Sequence, residues 1–154
     1  ALKCYRESIS SFSDHDIRFC SDAINNGELT QRDLAATHSN RGIIYSRTGK
    51  FDRALRDHDK AVRLMPDMAF AHINRGNVLY HIHEYEQAII EFDLAISITE
   101  GSDSIPFLNK ALTLIKMKKF RQSRHVLKSA LALDPASEKI QRLLAEIPVD
   151  ISKT

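Results

Sequence analysis

HSNRGIIYSRTGKFDRAL, residues 38–55, and HINRGNVLYHIHEYEQAI, residues 72–89, are near copies set 34 residues apart. A period of that length marks a stacked helical array, in which one unit cannot bury its own apolar face and its neighbours complete the core. With slot 1 at Ala35, the first unit (35–68) puts Gly42 in slot 8, Tyr45 in 11, Phe51 in 17, Ala54 in 20, Ala61 in 27 and Pro66 in 32. The second (69–103) answers with Gly76, Leu79, Tyr85, Ala88, Ala95 and, in the proline slot, Glu100. A third (104–137) follows a one-residue insertion in GSDSIP and supplies Ala111, Leu114, Phe120, Ser123, Ala130 and Pro135.

Small residues at slots 8 and 20 let the two helices of a unit approach closely. In RALRDHDKAVRL the apolar positions Ala54, Leu55, Ala61, Val62 and Leu64 recur with helical spacing. Gly49 closes a first helix, and Pro66 follows a second. These signals predict helix pairs at 31–48/52–64, 70–82/86–98 and 105–117/121–133. Thr30-Gln-Arg-Asp33 reads as a capping box opening the first full unit. Residues 1–34 read as a degenerate N-terminal hairpin: a short helix over 2–12, then DIRFCSDAINNG with Ala23 in slot 27. Residues 138–154 read as a capping helix and tail, with Ile140, Leu143 and Leu144 on one side and Pro148 ending the helix.

The chain has 154 residues, 43% apolar and 27% charged, enough for one sizeable core. Five Gly and four Pro are few for a turn-rich all-β protein. No apolar run approaches the roughly 18 residues that would span a bilayer. No signal peptide is visible, and the chain begins at Ala1 without Met, which fits a removed leader or a shortened chain. The formal net charge of +2 hides segregation: residues 1–34 carry −2, 35–68 carry +3, 69–103 carry −5 and 104–154 carry +6. A nucleic-acid binder would be more uniformly basic, whereas local patches select protein partners.

The 34-residue units resemble the tetratricopeptide repeat, a helix–turn–helix module. The likeness implies an all-α, right-handed superhelix of three full repeats with a cap at each end. The sequence departs from the family pattern at two slots. The Trp slot, 4, holds His38, His72 and Phe107, and the Leu slot, 7, holds Arg41, Arg75 and Lys110. The small residues at 8, 20 and 27 remain, so the fold expectation stands.

Cys4 and Cys20 fall on the two N-terminal helices, either side of a turn near Ser13-Asp14. An antiparallel hairpin there brings them within reach; the plain alternative is two buried free thiols in a cytoplasmic protein. The segment also resembles the N-termini of secreted bacterial tetratricopeptide proteins, where a Cys pair precedes an NRG…Y…G repeat. That resemblance implies a disulfide and a periplasmic or secreted location. Closing such a loop is worth roughly 3 kcal/mol on the chain-entropy account.

No arrangement of side chains suggests catalysis or a cofactor. His81-Ile-His83 is the nearest thing to a metal pair, but residues two apart on a helix point in different directions. Lys116, Lys118, Lys119, Arg121 and Arg124 straddle the turn of the third unit. They read as a solvated face or, more sharply, as a patch for an acidic protein partner. The one aromatic there, Phe120, is in a core slot and leaves no platform for nucleic-acid bases.

In the family, first helices line a concave groove through slots 2, 5, 9, 12 and 13. The resemblance therefore nominates Ser39, Ile43 and Arg47 in the first unit, and Phe70, Ile73, Asn77, Tyr80 and His81 in the second. In the third it nominates Leu108 and Leu112, with Ile105 in slot 2. Slots 5 and 9 lack the Lys, Asn and Arg set of a chaperone-type carboxylate clamp, so a chaperone's acidic C-terminus is not the expected ligand. Slot 6 is Asn in every unit: Asn40, Asn74 and Asn109. The groove of O-linked N-acetylglucosamine transferases is similar, and there such Asn side chains hold peptide backbone. A carboxamide donates and accepts, so it pairs with an amide whatever the peptide sequence. The alternative is that each Asn ties one helix to its neighbour. The sequence thus points to a non-enzymatic interaction module binding a peptide or partner segment in its groove. The competing reading is an assembly subunit that uses its outer face or ends.

Overall fold

The computed structural model describes Cys4 and residues 14–148; the expected helix over 2–12, apart from Cys4, and the tail over 149–154 lie outside the described residues. Among these, eight helices follow one another and no strand occurs. They are α1 (Asp14–Asn25), α2 (Gln31–Arg47), α3 (Phe51–Leu64), α4 (Ala69–His81), α5 (Tyr85–Ile98), α6 (Ser104–Lys116), α7 (Phe120–Leu133) and α8 (Glu138–Glu146). The expected pairs thus appear within a residue or so of their expected bounds. Each pair, α2/α3, α4/α5 and α6/α7, packs as an antiparallel hairpin, and each second helix packs on the next first helix. First helices of successive repeats also touch one another, more closely than second helices do, so the first helices line the inner side of the curve.

The small slots set these distances. Ala54, Ala61, Ala88, Ala95, Ala111, Ser123 and Ala130 are fully buried. At slot 8, a Cβ added to Gly42 would lie 2.7 Å from the His58 ring, and one added to Gly76 would lie 2.6 Å from Phe92. The third repeat meets the same constraint with Ala111 against the slimmer Leu127.

The turn inside each repeat is closed by a left-handed residue in slot 15: Gly49 (φ 73°), His83 (φ 68°) and Lys118 (φ 59°). The following amide reaches back to the first helix, as Lys50 N–H does to the Tyr45 carbonyl at 2.8 Å. Glycine takes this conformation without the cost of about 1–2 kcal/mol that a side chain adds. At the N-terminal side, Thr30 caps α2, its hydroxyl accepting from Asp33 N–H at 3.1 Å and donating to the Asp33 carboxylate at 2.6 Å. At the C-terminal side, Ile140, Leu143, Leu144 and Ile147 cover the Ala111–Leu127–Ala130 cluster.

Candidate functional site

The inner surface is built by α2, α4 and α6. Phe70 (44% exposed) and Ile105 (53%) hold slot 2 of neighbouring helices and stand in solvent. Beside Phe70 opens a cleft of about 380 Å³ lined by Arg32, Met65, Met68, Phe70, Ile73 and Asp103. Ile43, Tyr80 and Leu112 are half-buried, and Arg47 and His81 are exposed.

Three nominated residues present less surface than Phe70 and Ile105. Ser39 is fully buried and presents no surface. Ile73 keeps only 9% of its surface, at the base of the cleft. Leu108 is half-buried and packs against the third-repeat core. The asparagines supply part of the reason. Asn74 Nδ2 donates to Ser39 Oγ at 3.1 Å, and Asn109 Nδ2 donates to Asn77 Oδ1 at 3.0 Å. Both slot-6 carboxamides therefore tie one first helix to the preceding one. Each keeps an oxygen that accepts from none of the described residues, and Asn40 hydrogen-bonds to none of them.

The histidines and cations in the altered slots form a feature that sequence reasoning missed. His38 Nδ1 lies 2.9 Å from Asp57 Oδ1, while Arg41 grips both Asp57 oxygens at 2.7 Å and reaches Ser21 Oγ at 2.9 Å. One repeat later, His72 Nδ1 donates to Glu91 at 2.8 Å and Nε2 donates to the Pro66 carbonyl at 2.9 Å. Arg75 bonds Glu91 and also Asp59, at 2.7 Å, on the previous repeat. Lys110 continues the series to Asp93 at 2.6 Å. Each slot-7 cation thus reaches back to slot 25 of the preceding repeat. In the first two repeats it also holds the slot-23 acid of its own. Burial pushes the Asp57 carboxyl up, but the bonds from Arg41 and His38 outweigh this and hold it below the usual carboxylate range. The bond to Glu91 raises the His72 pKa, against burial, and the Pro66 carbonyl adds to the rise; both ring nitrogens face acceptors, so the imidazolium fits. The signal was in the sequence: Asp57 and Glu91, like Asp59 and Asp93, stand 34 residues apart.

Other nominated groups are dispersed. The His81 ring stacks on Phe51 at 5.6 Å, and His83 Nδ1 pairs with the Tyr85 hydroxyl at 2.8 Å, so the two imidazoles are engaged apart. Lys116, Lys118, Lys119 and Arg121 are exposed. Arg124 does not join them: it is half-buried and its Nη2 donates to the Ile147 carbonyl at 2.9 Å, bracing the C-terminal cap. The Cys4 and Cys20 Cα atoms are 4.8 Å apart, a separation that a disulfide spans, and both side chains are buried beside Ile44. No helix among the described residues is long and apolar enough to cross a membrane.

A stack of antiparallel helix pairs with a continuous core and an open inner surface defines a helical-repeat scaffold. Tetratricopeptide repeat models match residues 40–104 and 106–137, together well over half the chain, and the protein belongs to the tetratricopeptide repeat family. No curated protein matches the sequence. Among solved structures, MamA 41-end from Desulfovibrio magneticus RS-1 is similar at 20% identity, with 93% of this chain and 76% of that one covered and a TM-score of 0.77. The first repeat domain of Spaghetti (RPAP3) bound to the HSP90 peptide SRMEEVD is 18% identical, with coverage of 77% and 94% and a TM-score of 0.71. The second such domain of human RPAP3, in complex with the HSP70 peptide SGPTIEEVD, is 22% identical, with coverage of 75% and 96% and a TM-score of 0.70. At these identities the likeness is one of fold.

Proposed function

We propose that this chain is a non-enzymatic interaction module whose inner groove takes up a peptide or partner segment. The observation that carries the reading is the exposed pair Phe70 and Ile105, beside the cleft that ends on Ile73. Exposed apolar clusters of this kind mark interaction sites. Two of the solved neighbours hold peptides, which supports the class of function for this chain without naming its ligand. Both of those peptides end in EEVD. Here slots 5 and 9 hold Ser39, Ile43, Ile73, Asn77, Leu108 and Leu112, none of them a cation, so a different, more apolar ligand fits this groove. The Asn74 and Asn109 oxygens, which accept from none of the described residues, support a role in accepting from a bound backbone, each such contact contributing about 0.5–1.5 kcal/mol.

Peptides selected from a displayed random library should carry apolar anchors and lose at least tenfold in affinity on Phe70→Glu, with the melting temperature unchanged. Selected peptides that bind wild type and Phe70→Glu alike would remove the groove from the account. The competing reading, an assembly subunit using its outer face, draws on Ile90 (58% exposed) and Leu94 (42%) on α5. It predicts no selected groove ligand and a loss of assembly on Ile90→Glu.

The closeness of Cys4 and Cys20 supports a periplasmic or secreted location, because disulfides persist in oxidising compartments. Protein prepared from that compartment and alkylated while unfolded should gain two blocked thiols only after reduction. Two thiols alkylated without reductant would argue for the cytoplasm.

A further inference from the structure

We propose that the outer face of α3 is a docking site for an acidic segment of a protein partner, independent of the inner groove. Arg53, Arg56, Lys60 and Arg63 are all exposed and follow one another at spacings of three, four and three. They therefore stand on one stripe of the helix, about 15 Å from end to end. The stripe borders a cleft of about 390 Å³ that also reaches Arg41 and Tyr45. Arg41 and Arg53 lie 5.9 and 5.8 Å from the centre of the Tyr45 ring, which fixes the inner wall.

The acids lining this cleft are already engaged. Asp57 is held by Arg41 and His38, and Asp59 by Arg75 of the next repeat. Arg56, Lys60 and Arg63 consequently have no acidic partner among the described residues. Like charges at these helical spacings destabilise a helix, by about 0.2–0.5 kcal/mol per pair.

The repeats provide an internal control. The same four slots hold Gln87, Ile90, Leu94 and Ser97 in the second repeat, and Gln122, His125, Ser129 and Ala132 in the third. The fold therefore does not call for basic residues there. It accepts apolar, neutral or basic side chains, and only α3 concentrates cations. Towards the second repeat the stripe ends at α3. The next outer helix, α5, carries no Lys or Arg and exposes Ile90 and Leu94. A nucleic-acid duplex or an anionic bilayer would rest on that neighbouring surface as well and find no positive charge. A narrow row of cations about 4.5–6 Å apart along the helix matches carboxylates displayed with the same three-and-four spacing on a partner helix.

The test uses a fluorescent 14-residue peptide with Glu at that spacing, and a control with Gln in place of each Glu. At about 50 mM salt the Glu peptide should bind the full chain at least tenfold tighter than the Gln peptide, and weaken as salt screens the charges. The double change Arg56→Gln with Arg63→Gln, both solvent-exposed, should remove that advantage while the melting temperature holds. Lys118→Gln with Lys119→Gln, on the other basic surface, should leave affinity within about twofold. Equal binding of the two peptides would overturn the proposal. So would an unaffected double variant, loss of binding on changing Lys118 and Lys119, or tighter capture by anionic-lipid vesicles or a DNA duplex. None of these readouts depends on a groove ligand, so this site and the groove fail or stand separately.

Discussion

Glu91→Ala should lower stability by about 3–5 kcal/mol, measured by urea denaturation at neutral pH. The carboxylate sits buried between Arg75 and His72; its removal leaves Arg75 with Asp59 alone, on its other side, and leaves the buried His72 Nδ1 without its acceptor. The cost is one of abandonment: replacing a whole buried ion pair by well-packed apolar side chains is often neutral or stabilising. The third repeat shows that alternative within the same chain. Its slot 4 is Phe107 and its slot 23 is Val126, and both pack against the apolar cluster, leaving Lys110 to pair with Asp93 alone. The double change His72→Phe with Glu91→Val should therefore recover most of the stability lost in Glu91→Ala, with Arg75 keeping Asp59. If the double variant is as unstable as the single one, the third repeat's solution is not transferable and the polar set is needed for packing.

His58→Phe should work in the opposite direction. His58 is fully buried, neither ring nitrogen has a hydrogen-bond partner among the described residues, and the ring lies against Gly42. Slot 24 of the next two repeats holds Phe92 and Leu127, so an apolar side chain is what the site accommodates. Phe92 against Gly76 shows that a phenyl ring fits this geometry. Relieving an unsatisfied buried polar group is worth about 1–3 kcal/mol. A larger effect appears in acid. Burial pushes the His58 pKa down to about 4, whereas the unfolded chain takes up its proton near 6.5. Between those values the unfolded state binds the extra proton, so stability falls as pH falls, by about 3 kcal/mol over the whole window. His72, whose pKa is raised, stabilises most fully below 6.5 and loses that contribution only as pH rises through its folded value. Denaturation midpoints of wild type should therefore drop from pH 7 to pH 4.5, and those of His58→Phe should drop much less. Parallel curves would assign the acid limb to other groups.

Much of the scaffold was legible in the sequence because it depends on contacts within a repeat and between its neighbours in register. Gly42, Ala54 and Ala61 recur with their counterparts at a fixed period, and that period alone locates the helix pairs. The surface was less legible. Ser39 lies in a groove slot, yet the curve of the stack brings Asn74 across it and the Ser39 hydroxyl is taken up inside. Arg124 belongs by sequence to a basic cluster, but its contact is Ile147, 23 residues away, in the cap that closes the last repeat. Pairings of this kind follow from how one helix sits on another, and a side chain's own neighbours in sequence do not reveal them. The slot-4, slot-7 and slot-23 set was open to discovery, since His, Arg and acid change together to Phe, Lys and Val in the third repeat.

The backward reach of the slot-7 cations makes the order of the repeats a chemical property. Arg75 and Lys110 each require an acid on the unit before them, and Asp59 and Asp93 supply it. The third repeat carries Lys128 in that place, and the helix that follows offers Leu144 in slot 7 in place of a cation. A unit like the second or third, transplanted behind the third, would bring two positive charges face to face. The modules are alike in shape but are not interchangeable: each specifies, through one side chain, what it will accept upstream.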